Sequence, residues 1–314
     1  MEITCRFRLL LANAFLVVTM SMFGRLTSAE SIESPAELVP SYLLEIPDSV
    51  PDVLVADTGS AKLYRFRVAG NRVVAEEERY VSIGQNGAGK QRAWDRKTPL
   101  GVYFVTGELD TTKLDAKYGD AAFPLDYPNE WDRYQERTGY GIWIHGVDRK
   151  LSRRPPLDTD GCLALPNDEL RSLSAYLLPM ETPVIVAREM QWADAAELEQ
   201  SRLELRIALD IWRQSQESKD LVSYLSLYDD AFRHRGMDKD EWSAYRLAVF
   251  SERELTSVEV DEVLLLADPA EPGLYLSRFK QVLTGPNGPV TTLKRLYWMR
   301  RQDAEWRIVS EDNG

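Results

Sequence analysis

One thiol and one imidazole stand in a setting that suits nucleophilic acyl transfer. Cys162 lies in Thr159-Asp160-Gly161-Cys162-Leu163-Ala164-Leu165, and His145 ends the run Gly141-Ile142-Trp143-Ile144, 17 residues earlier. A free thiol ionises near pH 8.5, so little thiolate exists at neutral pH unless a base takes the proton. An imidazole within reach does this and leaves a nucleophile for an amide carbonyl. Gly161 has no side chain, so the main chain there is free to approach a substrate and offer N–H groups to a developing oxyanion. A core histidine and a buried, inert cysteine are the plain alternatives.

The elements that must hold these residues are β-rich. Alternation and Gly/Pro punctuation predict strands over 53–56, 63–68, 80–83, 102–105 and 142–144. A helix is expected after Pro166, with Asn167 as its cap, Asp168 and Glu169 in its first turn and Pro179 at its end. A last strand covers 183–186. From Trp192 the character changes: Leu198, Leu203, Leu205, Ala208, Leu209 and Trp212 recur at helical spacing. That stripe reads as core or as a homodimer interface. Helical stretches over 221–232 and 239–250 follow, then strands over 258–267, 275–283, 291–300 and 306–310. The division is therefore a lead-in segment at 30–51, a mainly β domain with one short helix at 52–191, and an α+β domain at 192–314.

Composition agrees with two globular domains: 314 residues, 44% apolar and 28% charged. A net charge of −12 argues against nucleic acid as a partner. Two Cys and two His are too few for a zinc site, so neither metal nor cofactor is expected. Residues 1–29 read as an export signal, with Arg6 and Arg8 before an apolar run and Thr27-Ser28-Ala29 for cleavage. The expected location is the periplasm or cell envelope, with membrane attachment only if the signal is retained. Cleavage removes Cys5 and leaves Cys162 as the sole thiol. Gly84-Gln85-Asn86-Gly87-Ala88-Gly89-Lys90 has phosphate-loop spacing, but Gln91 follows where Ser or Thr should hold magnesium. It reads as a Gly-rich surface loop.

His145-Gly146 with Thr159-Asp160-Gly161-Cys162 resembles the signature of the L,D-transpeptidase (YkuD) catalytic domain. The resemblance extends upstream through Lys97-Thr98-Pro99-Leu100-Gly101-Val102-Tyr103-Phe104 and Ala122-Phe123-Pro124-Leu125-Asp126-Tyr127-Pro128-Asn129. The tail, with Trp242, Tyr297-Trp298 and Trp306-Arg307-Ile308-Val309, is similar to an NTF2-like domain, a combination found in a branch that includes cell-shape L,D-carboxypeptidases. The resemblance implies a YkuD-like β-sandwich, Cys162 as nucleophile, His145 as general base and the Gly146 carbonyl as the group that orients the imidazole. It implies peptidoglycan tetrapeptide stems as donors, cut between the third-position diamino acid and D-Ala. Transfer to an amine of a second stem gives a cross-link and takes the lead as the family's commonest activity. Water gives a trimmed tripeptide, or releases a wall-linked lipoprotein as a hydrolase of the same family does, and a lysine of such a lipoprotein is a further acceptor. Two departures bear on that choice: Ala164 replaces a frequent Arg, and Asp160 replaces a frequent basic residue.

Tyr127, Asn129, Trp143 and Thr159 flank the presumed cleft and are expected to line it, with core packing the alternative for Trp143. His234, within Arg233-His234-Arg235, reads as a solvated helix end. A non-catalytic wall-binding scaffold, with the NTF2-like domain as its working part, is the competing class. Such a protein needs no reactive thiol.

Overall fold

The computed structural model describes residues 38–69, 72–252 and 254–313; the export signal expected at 1–29 lies outside them. Val53-Leu54-Val55-Ala56 and Val184-Ile185-Val186-Ala187 are apolar at every position because both faces of their sheet are covered. They belong to the strands Asp52–Asp57 and Pro183–Ala187, which pair in parallel at the centre of a five-stranded sheet. Lys62–Ala69 and Arg72–Tyr80 extend it on one side and Gly101–Phe104 on the other. Leu54, Ala56, Val184 and Val186 pack with Phe123, Ile144 and Leu163 of a three-stranded sheet and with Leu170 and Leu173 of the helix Asn167–Leu173. This closes the mainly β domain.

The opposite face of the five-stranded sheet, through Val53, Val55, Ile185 and Ala187, meets Leu264, Leu266, Leu274 and Leu276 of the C-terminal sheet. That second sheet has six strands, ordered Tyr228–Arg233, Trp306–Asn313, Gly288–Arg300, Leu274–Gly285, Ser257–Ala267 and Leu43–Glu45. Its far face carries Leu265, Phe279, Leu296 and Trp298 against Leu205, Leu209 and Trp212 of the helix Ala195–Glu217. Leu203, from the same apolar stripe, stays 45% exposed. Period-2 alternation thus sends successive residues of one strand into different cores. Among the described residues no helix is long and apolar enough to cross a membrane.

Several elements depart from the pattern, among them the helix Glu130–Tyr134, a second one where a single short helix was expected. Arg72–Tyr80 was hidden by Glu76-Glu77-Glu78-Arg79; it is an edge strand whose acids pair with Lys62, Arg65 and Arg67 on its neighbour. The helix expected over 221–232 stops at Ser226, and Tyr228–Arg233 is a strand in parallel with Trp306–Asn313. The lead-in segment contributes strands of its own, Leu38–Pro40 beside Trp192–Asp194 and Leu43–Glu45 at the edge of the C-terminal sheet.

Candidate active site

Parallel pairing brings Cys162 and His145 into neighbouring register. Leu163 aligns with Ile144 and Ala164 with His145, so Cys162 precedes one strand at the level of Trp143 on the next. Thiol and imidazole line one open cleft of about 600 Å³, together with Trp143, Thr159, Tyr118 and Arg154. Grooves of about 530 and 580 Å³ elsewhere contain neither group. Chemistry, not size, selects the site.

His145 is buried, and its Nδ1 lies 2.6 Å from the Gly146 carbonyl oxygen. A carbonyl only accepts, so Nδ1 carries the proton and Nε2 keeps its lone pair. The Tyr118 ring meets the imidazole edge-on at 5.1 Å and packs on Trp143 at 4.7 Å. Burial, with Arg154 and Lys117 adding positive charge, holds the imidazole down at about 4 despite the Gly146 carbonyl. At neutral pH it is an unprotonated base.

Cys162 is 7% exposed, and its Sγ lies 3.4 Å from the Gly141 carbonyl oxygen. Burial pushes the thiol up to about 11; Asp160 adds to this, while the Trp143 main chain, Lys117 and Arg154 oppose it. At rest the thiol is therefore protonated, with Gly141 as its hydrogen-bond partner, and the imidazole in the same cleft is neutral. Asp160 is well exposed, with Arg96 Nε at 3.9 Å from its carboxylate.

Thr159 lines the cleft but its hydroxyl is committed to the turn: it accepts from Gly161 N–H at 3.1 Å and donates to the Cys162 carbonyl at 2.8 Å. Gly161 N–H is thus engaged at rest and not directed at a substrate. Gly161 has φ +126°, and a Cβ there would come within 2.6 Å of the Lys97 carbonyl oxygen, so only glycine fits before Cys162. Trp143 lies in the cleft wall as expected.

Tyr127 and Asn129 do not line the cleft. Tyr127 is buried in the core and donates to the Thr138 carbonyl at 3.1 Å. Asn129 caps the helix Glu130–Tyr134 through Asp132 N–H and donates to the Val102 carbonyl. Asn167 likewise departs from its expected duty as a cap. It is the first helical residue, and its Oδ1 accepts from Asp120 and Val147 N–H while Nδ2 donates to the Val147 carbonyl. His234 is buried, with Nδ1 at 2.6 Å from the Glu311 carbonyl oxygen, because its segment is a strand end packed on Trp242 rather than a helix end. In the phosphate-loop lookalike, Lys90 is buried and binds Asp95 at 2.8 Å, which leaves it no role toward phosphate.

Residues that spacing did not single out complete the cleft. Lys117, Tyr118 and Arg154 flank the imidazole side, while Trp94 and Tyr140, 87% and 79% exposed, stand on the rim. None belongs to a recognisable motif; only the folded loops bring them to Cys162.

Comparison with known proteins agrees with this architecture. Residues 51–186 match the L,D-transpeptidase catalytic domain family YkuD, and residues 204–312 match the Cds6 C-terminal NTF2-like domain. No curated protein matches the chain in sequence. Among solved structures the chain is similar to Bd1075 of Bdellovibrio bacteriovorus, at 25% identity and TM-score 0.73, over 88% of this chain and 98% of that one. It shares its fold with Pgp2 of Campylobacter jejuni, described as a helical cell shape determining protein. There the identity is 24% and the TM-score 0.74, over 87% of this chain and 95% of that one. The expected fold class, a mainly β catalytic domain with an α+β NTF2-like domain behind it, is the one observed.

Proposed function

The chain carries a YkuD-family L,D-transpeptidase catalytic domain and a Cds6-type NTF2-like domain, and from that premise we propose that it is an exported cysteine acyltransferase of the cell envelope acting on peptidoglycan stem peptides. The observation that carries this reading is the 2.6 Å contact between His145 Nδ1 and the Gly146 carbonyl oxygen. It fixes the tautomer whose Nε2 is a free base, in the same cleft as the thiol. A wall-binding scaffold has no use for that arrangement.

In the reaction, Nε2 of His145 takes the Cys162 proton as sulfur attacks the diamino-acid carbonyl of a tetrapeptide stem. The tetrahedral adduct collapses to a thioester, and the imidazolium returns the proton to the departing D-Ala nitrogen. An amine from a second stem then releases the acyl group as a cross-link, the leading outcome for this family. Release by water is the second reading, favoured by Ala164 and Asp160, which leave the sequence around the thiol without the cations expected there. A lipoprotein lysine is a further acceptor of the same thioester.

The test is mass spectrometry of tetrapeptide muropeptides incubated with residues 30–314 and with its Cys162→Ala variant. Cysteine-dependent dimers identify the transpeptidase, and cysteine-dependent tripeptide with free D-Ala identifies the carboxypeptidase. Turnover that persists in Cys162→Ala removes the thioester mechanism.

A further inference from the structure

The charges lining the cleft are unevenly matched. Lys90 is neutralised by Asp95 and Arg96 faces Asp160. On the imidazole side, Lys117 has no carboxylate within 4 Å among the described residues, and its ammonium lies 5.1 Å from the Tyr118 ring centre. Arg154 is only 14% exposed. Two of its nitrogens donate to main-chain carbonyls, Asp158 at 2.9 Å and Lys117 at 3.1 Å, and its Nε is buried without a partner. Its sole carboxylate contact among the described residues, Asp158 at 3.5 Å, is with a half-exposed side chain. Two cations therefore stand beside His145 and Cys162 with little negative charge to answer them, in a protein whose net charge is −12.

Guanidinium and ammonium groups held in this way select carboxylates. The proposed reaction supplies one at the right place. The residue expelled from a stem tetrapeptide ends in a free carboxylate, whose carbon lies about 2.5 Å from the nitrogen of the bond being broken. Any group that recognises it must share the cleft with the thiol. We propose that Arg154 and Lys117 form a carboxylate subsite that holds the free terminal carboxylate of the residue released by Cys162. The subsite makes the enzyme selective for chain ends over internal peptide bonds, and it does so from a loop 8 residues before the nucleophile, not from position 164, where Ala stands. This inference rests on the acyl-transfer reading above.

The test compares a stem tetrapeptide acid with its C-terminal carboxamide, which differ only in the group the subsite would bind. The wild-type protein is expected to favour the acid by about 100-fold in kcat/KM. Arg154→Gln should bring that ratio close to one, and Lys117→Met should lower it about tenfold. Both substrates use the same thiol and imidazole, so any effect of the variants on those groups cancels in the ratio. Lys117 is exposed, which keeps the test valid if Arg154→Gln loosens the loops it ties. A wild-type ratio near one, or a ratio that neither variant moves, overturns the proposal. If the wild type cleaves neither substrate, the acyl-transfer reading fails on its own. Calorimetric binding of the two peptides to Cys162→Ala then decides the subsite: preference for the acid, lost with Arg154→Gln, supports it, and equal binding overturns it.

Discussion

Asn167 grips Val147 at both of its main-chain groups: Nδ2 donates to the carbonyl at 2.8 Å and Oδ1 accepts from the N–H at 3.2 Å. The same Oδ1 accepts from Asp120 N–H, so one side chain ties two loops beside the Gly146 carbonyl on which His145 rests. The fit is close, since a Cβ on Gly146 or Gly119 would collide with that oxygen. Asn167 is thus a positioning residue acting through the peptide that orients the imidazole. Asn167→Ala should lower kcat about tenfold with little change in KM, and cost about 1–3 kcal/mol in stability through unpaired main-chain groups. Steady-state kinetics and a denaturant melt check both.

The thiol should behave as its burial dictates. With Cys162 pushed up to about 11, the rate of iodoacetamide alkylation should climb about tenfold per pH unit from pH 7 to 9, without a plateau. A plateau near pH 7 would reveal a preformed thiolate–imidazolium pair instead. Asp160 is too exposed to contribute much, so Asp160→Asn should speed labelling at pH 7 only about twofold.

His145 makes a signed contribution to stability. Its folded value of about 4 lies below the ordinary 6.5, so the unfolded chain binds the proton first as pH falls. The contribution is complete above about pH 6.5 and disappears toward pH 4, by about 3 kcal/mol. Urea unfolding of wild type and His145→Gln at pH 7 and pH 4 should show the two curves converging by that amount.

Near the cleft rim, Asp95 accepts from the Lys90 ammonium and from the N–H groups of Gln91, Arg92 and Lys97. Partial burial pushes the carboxyl upward, but these donors outweigh it and hold it at about 2. Asp95→Ala leaves the Lys90 charge buried and unmatched. A loss of about 3 kcal/mol is expected, read as a lower melting temperature.

In the C-terminal core, Glu311 is fully buried, bound by Lys294 and by Tyr228 Oη at 2.6 Å. Lys294→Met should destabilise by about 3–5 kcal/mol, and adding Glu311→Leu should recover much of it. A double-mutant cycle from chemical denaturation measures the coupling.

Cys162 and His145 were legible because a short strand and a glycine before the thiol leave a local signature, whereas the Gly146 carbonyl entered only through the resemblance to the YkuD signature. The apolar strands of the central sheet were legible for the same reason, since burial on both faces writes itself into consecutive residues. What escaped depends on long-range company. Tyr127 and Asn129 have the types of cleft residues, yet burial gives their polar atoms to Thr138 and to a helix cap. His234 sits among arginines in sequence but against Trp242 in space. Arg72–Tyr80 shows no strand pattern through its acidic run because the partners of those acids, Lys62, Arg65 and Arg67, lie across a hairpin. Arg154 and Lys117 share no motif with the nucleophile, and no spacing rule links them.

The edge strand Leu43–Glu45 has a consequence for the order in which the protein is made. It leaves the ribosome ahead of the whole catalytic domain, but its strand partners are Leu265 and Leu266. Some 220 residues must follow before that strand finds its place. Until then Leu43, buried in the finished protein, has no sheet to lie on. The NTF2-like sheet is therefore a clasp that closes late over the start of the chain. A truncation at the catalytic boundary near 187 would remove more than an appendage: it would leave the entry segment unpaired and the back of the central sheet, at Val53, Val55 and Ile185, open to water.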